Sequence, residues 1–182
     1  MWVLMRWLAI AGLGIFIMAS DANARDLENT IYLDLKDGRV VIVLRPDLAP
    51  NHVARIKELA REGFYDGLKW HRVIDGFMAQ TGDPKGNGTG GSGQNIKAEF
   101  SDESHVRGTV SMARSQRPDS ADSQFFIVFA PSSWLDRKYT VWGQVTEGMD
   151  FVDQIKKGEG QSGSVDDPVD VIVRMQVAVD TK

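Results

Sequence analysis

Short apolar runs separated by turn residues recur along the chain, and this pattern limits the fold more than any other feature. The runs lie at 31–35, 40–44, 70–74, 77–80, 108–113, 123–129, 139–145 and 169–173. Asp37-Gly38 lies between the first two runs, and this dipeptide is typical of a tight hairpin turn. Only 50–62 and 149–155 have the spacing of an amphipathic helix. Many short strands with two distant helices predict a mainly β fold, a closed antiparallel barrel with two α-helices.

The composition is that of one packed globular domain, and it excludes several kinds of site. Hydrophobic residues make up 42% of the 182 residues and charged residues 25%. The lack of cysteine excludes disulfides, thiolate nucleophiles and cysteine-bound metals. A formal net charge of -4 argues against nucleic-acid binding, which needs a basic surface. His52, His71 and His105 lack the spacing of metal ligands, so we expect structural histidines.

The N-terminal segment has the pattern of a secretory signal peptide. Arg6 is followed by an apolar run at 7–18 and then by the small residues of Ala22-Asn23-Ala24. We expect a signal peptide over 1–24, cleaved after Ala24, and a mature domain over 25–182. The apolar run is too short to span a bilayer comfortably, so we expect no stable membrane insertion after cleavage. The prediction is a periplasmic or secreted protein; an uncleaved anchor and a buried helix are the alternatives.

Two further segments carry candidate functional features. The glycines at 86–91 match G-x-G-x-x-G, but the residues after them have no helical apolar face, which indicates a flexible surface loop rather than a dinucleotide site. In 123–129, alternation places Gln124, Phe126 and Val128 on one face of a strand and Phe125, Ile127 and Phe129 on the other. Arg72 lies in an otherwise apolar strand, where a charge must reach water or a partner. A salt bridge or an arginine that extends to solvent would explain it without any function.

At these residues the sequence resembles the cyclophilins. The segment Trp70-His71-Arg72-Val73-Ile74-Asp75-Gly76-Phe77-Met78-Ala79-Gln80-Thr81-Gly82-Asp83 is similar to the signature of that family. Further cyclophilin-like motifs follow in family order at 88–91, 111–113, 123–127, 134–136 and 141–145. The resemblance implies an eight-stranded antiparallel barrel, with two helices and an active site on its outer face.

The resemblance also implies a set of site residues. Arg72 would be the catalytic residue. The substrate-binding residues would be Phe77, Met78, Gln80, Ala113, Arg114, Gln124, Phe126, Trp134, Leu135 and Tyr139. Two of these depart from the commoner eukaryotic pattern, since Tyr139 stands where a histidine is usual and Arg114 where an asparagine is usual.

The reaction implied is cis–trans isomerisation of X–Pro peptide bonds in the folding of exported proteins. Rotation about the amide breaks no covalent bond, so we expect no nucleophile, metal or cofactor. The expected partners are proline-containing polypeptides and, because of Trp134, a cyclosporin-type cyclic peptide inhibitor. We expect a monomer that does not bind nucleic acid. The alternative function is a peptide-binding holdase that depends little on turnover.

Overall fold

The computed structural model of the chain describes residues 26–181. The predicted signal peptide at 1–24 and its cleavage site lie outside the described residues. Within 26–181, no helix has the length and apolar character needed to cross a membrane.

The described part of the chain is mainly β, as predicted, with one curled sheet and two helices. The strands are β1 (Thr30–Leu35), β2 (Gly38–Leu44), β3 (Arg72–Ile74), β4 (Met78–Thr81), β5 (Thr109–Met112), β6 (Phe125–Val128), β7 (Val141–Glu147) and β8 (Arg174–Val177), and the helices are α1 (Pro50–Arg61) and α2 (Met149–Asp153). The order across the sheet is β3-β4-β6-β5-β7-β2-β1-β8, and neighbouring strands are antiparallel. Short 3₁₀ turns, among them Ser133–Leu135, connect the strands.

The first hairpin and the first helix follow the local sequence signals. Leu35 pairs with Gly38, so Lys36-Asp37 forms the two-residue turn between β1 and β2. Pro50 begins α1, a position where its missing N–H costs nothing. The apolar face of the helix is buried, and it consists of Val53, Ile56, Leu59 and Ala60. Both elements are confirmed as predicted.

Aromatic side chains fill the space enclosed by the sheet. The ring of Phe125 on β6 meets Tyr65, Trp70 and Trp142 edge to face, at centroid distances of 5.5, 6.2 and 5.4 Å. All four side chains are completely buried. The inner face of β6 is therefore core, as the alternation of 123–129 predicts.

The last strand lies later in the chain than predicted. The β-branched residues at 169–173 favour a strand on propensity, but the strand is Arg174–Val177. Its register with β1 places Met175 and Val177 in the core, whereas Val173 is 55% exposed. The choice between the two segments depends on which one can pair with β1 while burying alternate side chains.

The closed barrel predicted from the sequence is not shown. Strands β3 and β8 are the two ends of the sheet, and no ladder joins them within residues 26–181. The segments beside these strands approach each other through separate backbone contacts. Trp70 N–H donates to the carbonyl of Asp170 and Ile172 N–H to that of Leu68, both at 2.9 Å. The eight strands thus form a curled half-barrel.

Candidate active site

A cavity of about 310 Å³ opens on the outer face of the sheet. It is lined by every predicted site residue except one: Arg72, Phe77, Met78, Gln80, Ala113, Arg114, Phe126, Trp134, Leu135 and Tyr139. The exception, Gln124, lines a groove of about 470 Å³ beside it. The structure therefore brings together side chains that lie up to 67 positions apart in sequence.

Strand register sets the order of these side chains. Arg72 on β3 pairs with Gln80 on β4, Gln80 pairs with Phe126 on β6, and Phe126 pairs with Ser111 on β5. Residues directly opposite one another in antiparallel strands point to the same face of the sheet. The guanidinium, the amide and the aromatic ring consequently lie side by side.

The apolar wall of the cavity is a second, smaller hydrophobic cluster. Its buried members are Met78, Phe126, Val128 and Leu135, and Ile74, Phe77, Ala113 and Tyr139 pack against them. Strand β6 is therefore buried on both faces, and Phe126 is only 5% exposed. Trp134 lies at the rim with 58% of its surface exposed, and its ring contacts that of Phe77 at 5.5 Å.

Arg72 is half-buried at the polar edge of this cavity. Its Nη1 donates to Gln80 Oε1 at 3.1 Å, and its Nε donates to the carbonyl of Ser162 at 3.0 Å. Burial lowers the pKa of Arg72, although an arginine remains charged at neutral pH. No carboxylate among residues 26–181 forms an ion pair with it. The salt-bridge explanation of Arg72 is therefore excluded for the described chain.

The guanidinium belongs to a hydrogen-bonded chain that runs out of the cavity. Gln80 Nε2 donates to Gln124 Oε1 at 2.9 Å. Gln124 Nε2 in turn donates to the carbonyls of Gly88 and Gly90, at 3.1 and 2.8 Å. The carbonyl oxygen and the NH₂ group of the Gln80 side chain are thus both engaged within the protein, and Arg72 is connected to the glycine-rich loop.

That loop lies at the surface, as predicted, but its backbone is tied to the protein. The buried carboxylate of Asp83 accepts backbone N–H bonds from Lys85, Asn87 and Gly88 at 2.8, 3.0 and 2.6 Å. Burial alone would raise the pKa of Asp83, but these N–H groups outweigh burial and lower it. The groove that the loop lines is not predicted from the sequence. An acidic residue three positions before a glycine run, Asp83 before Gly86, is the signal that could have indicated it.

His105 has the hydrogen-bond partners of a Ser-His-Asp triad, but the serine is not accessible to a substrate. Its Nδ1 lies 2.9 Å from Asp136 Oδ1, and its Nε2 lies 3.1 Å from Ser111 Oγ. Ser111 is fully buried, and its hydroxyl donates to the carbonyl of Thr140. A triad nucleophile must reach a substrate carbonyl, so this serine cannot perform acyl transfer.

The other histidines are buried as well, and His52 Nδ1 lies 2.6 Å from Glu99 Oε2. Burial lowers the pKa of all three histidines, which outweighs the attraction of Glu99 on His52 and of Asp136 on His105. Within the described chain, no group of three His, Asp or Glu side chains is placed to hold a metal ion.

Comparisons of the sequence with known proteins identify the family. The family model "Cyclophilin type peptidyl-prolyl cis-trans isomerase/CLD" matches residues 30–177. A "Probable peptidyl-prolyl cis-trans isomerase" of Brucella suis is 56% identical over 174 residues, covering 88% of this chain and 88% of the relative. Peptidyl-prolyl cis-trans isomerase B of Bacillus subtilis is 45% identical over 133 residues, covering 71% of this chain and 92% of the relative.

Solved structures agree with this assignment. A cyclophilin from Hirschia baltica superposes with a TM-score of 0.76 at 29% identity, over 86% of this chain and 76% of that one. A Cryptosporidium parvum cyclophilin-type isomerase, solved in the presence of the dipeptide Ala-Pro, superposes with a TM-score of 0.73 at 25% identity, over 81% of this chain and 98% of that one. The family match spans nearly the whole described chain, and the two solved structures share its fold. The chain therefore belongs to the cyclophilin family of peptidyl-prolyl cis–trans isomerases.

Proposed function

We propose that this isomerase accelerates X–Pro isomerisation in the folding of exported proteins, with Arg72 as its catalytic residue. The observation that carries the proposal is the half-buried guanidinium, free of any carboxylate within the described chain, at the edge of an apolar cavity. A charged donor beside an apolar slot suits a reaction in which a new acceptor develops beside an apolar ring.

The slot suits a proline ring. Its apolar walls come from Phe77, Met78, Phe126 and Leu135. Burying apolar surface there contributes binding free energy of about 25 cal/mol per Å². The related Cryptosporidium protein was solved in the presence of Ala-Pro, which supports a proline-containing ligand for this chain.

Arg72 is proposed to stabilise the twisted amide in preference to the planar one. The planar X–Pro amide is conjugated, and its rotational barrier is about 18–20 kcal/mol. Twisting ends the conjugation and leaves a lone pair on the proline nitrogen, which then accepts a hydrogen bond. A donor aimed at that nitrogen stabilises the transition state more than the substrate. Shortening the isomerisation from tens of seconds to milliseconds requires a rate acceleration of about 10⁴-fold, which is a lowering of the activation free energy by roughly 5.4 kcal/mol.

Gln80 is proposed to position Arg72 rather than to bind the substrate backbone. Its carbonyl accepts from Arg72 and its amide donates to Gln124, so both of its polar ends already have partners. Gln124 carries the connection to the groove, where the residues flanking proline would lie. This arrangement holds the guanidinium in place before the substrate arrives, which lowers the reorganisation needed during reaction.

The test is isomer-exchange spectroscopy on a short proline peptide with Arg72→Ala and Arg72→Lys. We expect Arg72→Ala to lower kcat and kcat/KM together, with KM little changed. The loss corresponds to a rise of about 2–4 kcal/mol in the activation free energy. Arg72→Lys should retain only part of the activity that Arg72→Ala loses, because an ammonium does not reproduce the guanidinium geometry. Arg174→Ala, an exposed arginine on β8, is the matched control and should behave as wild type.

Two results would contradict the proposal. Normal turnover of Arg72→Ala with weaker binding would make Arg72 a substrate clamp. A bell-shaped pH profile near neutrality would indicate an acid–base residue, since Arg72 does not titrate there. If Arg72→Ala suppressed aggregation of proline-rich chains as well as the wild type despite its loss of turnover, the holdase function would be favoured.

The cellular setting and partners form the rest of the proposal. The leader pattern of residues 1–24 supports export to the periplasm or beyond. We propose a monomer that acts on proline-containing polypeptides. Trp134, exposed at the rim of the slot, supports binding of a cyclosporin-type cyclic peptide in the same site.

A further inference from the structure

We propose that Arg114 is a positioning and specificity-determining residue: it lies at the boundary between the proline slot and the adjoining groove, and it holds Tyr139 in place as a wall of the slot. This inference rests on the isomerase site proposed above. It replaces the sequence-based expectation that Arg114 binds substrate directly.

The guanidinium of Arg114 is engaged by backbone carbonyls. Nε and Nη2 both donate to the carbonyl of Lys138, at 3.0 and 2.7 Å. Nη1 donates to the carbonyls of Ser115 and Gln116, at 2.9 and 3.3 Å. All three nitrogens therefore have acceptors, and together they fasten the loop after β5 to the segment before β7.

The flat face of the same guanidinium covers an aromatic ring. Its carbon lies 4.6 Å from the ring centroid of Tyr139 and 5.7 Å from that of Phe100. Tyr139 meets Phe126 edge to face at 5.8 Å, with 81° between the rings. Contacts thus run from Arg114 through Tyr139 to Phe126, the ring at the floor of the proline slot.

Arg114 also occupies the boundary between the two spaces. It lines both the 310 Å³ cavity and the 470 Å³ groove, and among residues 26–181 only Gln80 and Ala113 do the same. Within the described part of the chain, Arg114 is the largest of these three side chains, and it alone of the three stacks on a ring that lines the slot, that of Tyr139. Shortening Arg114 would join the slot to the groove.

The two departures from the usual cyclophilin pattern are in contact with each other. Arg114 and Tyr139 stand where asparagine and histidine are usual, and they form one cation–π pair here. Only a planar cation combines several in-plane donors with a face for stacking. An ammonium at the same position keeps the charge and loses this geometry.

The experiment compares Arg114→Lys, Arg114→Gln, Tyr139→Leu and the Arg114→Gln/Tyr139→Leu double variant. The substrates are two proline peptides that carry either alanine or a bulky apolar residue beside the proline. We expect Arg114→Lys and Arg114→Gln to lower kcat/KM for the alanine peptide by about three- to tenfold through KM, the size of one cation–π contact. For the bulky peptide, kcat/KM should fall less than for the alanine peptide. The double variant should have a kcat/KM no lower than that of Arg114→Gln alone, because the pair acts as a unit. The control is Arg117→Gln, which should leave kcat/KM unchanged for both peptides. Arg117 is an exposed arginine of the same loop, and its side chain has no hydrogen bond or ion pair within residues 26–181.

Several outcomes would overturn the inference. If Arg114→Lys kept wild-type kinetics while Arg114→Gln lost activity in a salt-sensitive way, Arg114 would be a charge clamp on the substrate. If the Tm of the Arg114 variants fell while the ratio of kcat/KM between the two peptides stayed constant, the role of Arg114 would be structural only. Turnover of the alanine peptide by the wild type tests the proposed function separately, so an active wild type with unaltered selectivity in Arg114→Gln overturns this inference alone.

Discussion

Truncation of two neighbouring residues on β6 should separate stability from activity. Phe125→Ala removes a fully buried ring that touches three others, Tyr65, Trp70 and Trp142. The void would be enclosed on all sides, so the loss of unfolding free energy should be about 3–5 kcal/mol, the transfer term plus a cavity term. The edge-to-face contacts place the expected value at the upper end of that range.

Phe126→Ala should cost less stability although Phe126 is also buried. Its ring borders the open slot, so the space it leaves would join that slot instead of forming a sealed void. The transfer term alone gives about 1.5–3 kcal/mol. Activity should fall much further than in Phe125→Ala, because the floor of the proline slot is lost.

Urea unfolding followed by circular dichroism measures the first quantity, and peptide isomerisation at low temperature measures the second. Phe125→Leu keeps most of the volume and serves if Phe125→Ala does not fold. Equal destabilisation by the two alanine variants would refute the cavity argument. Loss of turnover in a stably folded Phe125→Leu, with Phe126→Ala active, would show that the two faces of β6 are wrongly assigned.

Three further outcomes are expected. N-terminal sequencing of exported protein should begin at Arg25, and intact Met1 in a membrane fraction would instead indicate an uncleaved anchor. Calorimetry should detect cyclosporin binding at the slot beside Trp134; no binding at high micromolar inhibitor would mean that the Arg114–Tyr139 pair reshapes the groove. The three buried histidines have pKa values lowered below the ordinary 6.5, so the unfolded chain binds protons that the folded chain does not. The free energy of unfolding should therefore fall as pH drops below about 6.5, and a flat urea midpoint between pH 7 and 5 would contradict this.

Much of the architecture follows from local sequence. Asp37-Gly38 between two apolar runs indicates the first hairpin, although the two central residues of the turn are Lys36 and Asp37. Pro50 and the apolar spacing after it predict α1, and alternation in 123–129 correctly separates Phe125 from Phe126. Each of these features is a property of residues close together in the chain, so the sequence alone determines it.

The family and the members of the site were also within reach of the sequence. The motifs within residues 70–145 occur in the order typical of a cyclophilin, and the comparisons with known proteins confirm that family. All but one of the residues selected by that resemblance line one cavity, and Gln124 lies in the groove beside it. The sequence identifies which residues take part, although it does not describe their contacts.

Tertiary structure decided what depends on pairing between distant segments. The last strand is Arg174–Val177 and not 169–173, because only register with β1 determines which apolar run enters the sheet. The glycine loop is held by Asp83, and Arg114 is turned toward the carbonyl of Lys138, 24 positions away. Local periodicity reports the face on which a side chain lies, whereas its partner is set by the packing of elements remote in the chain.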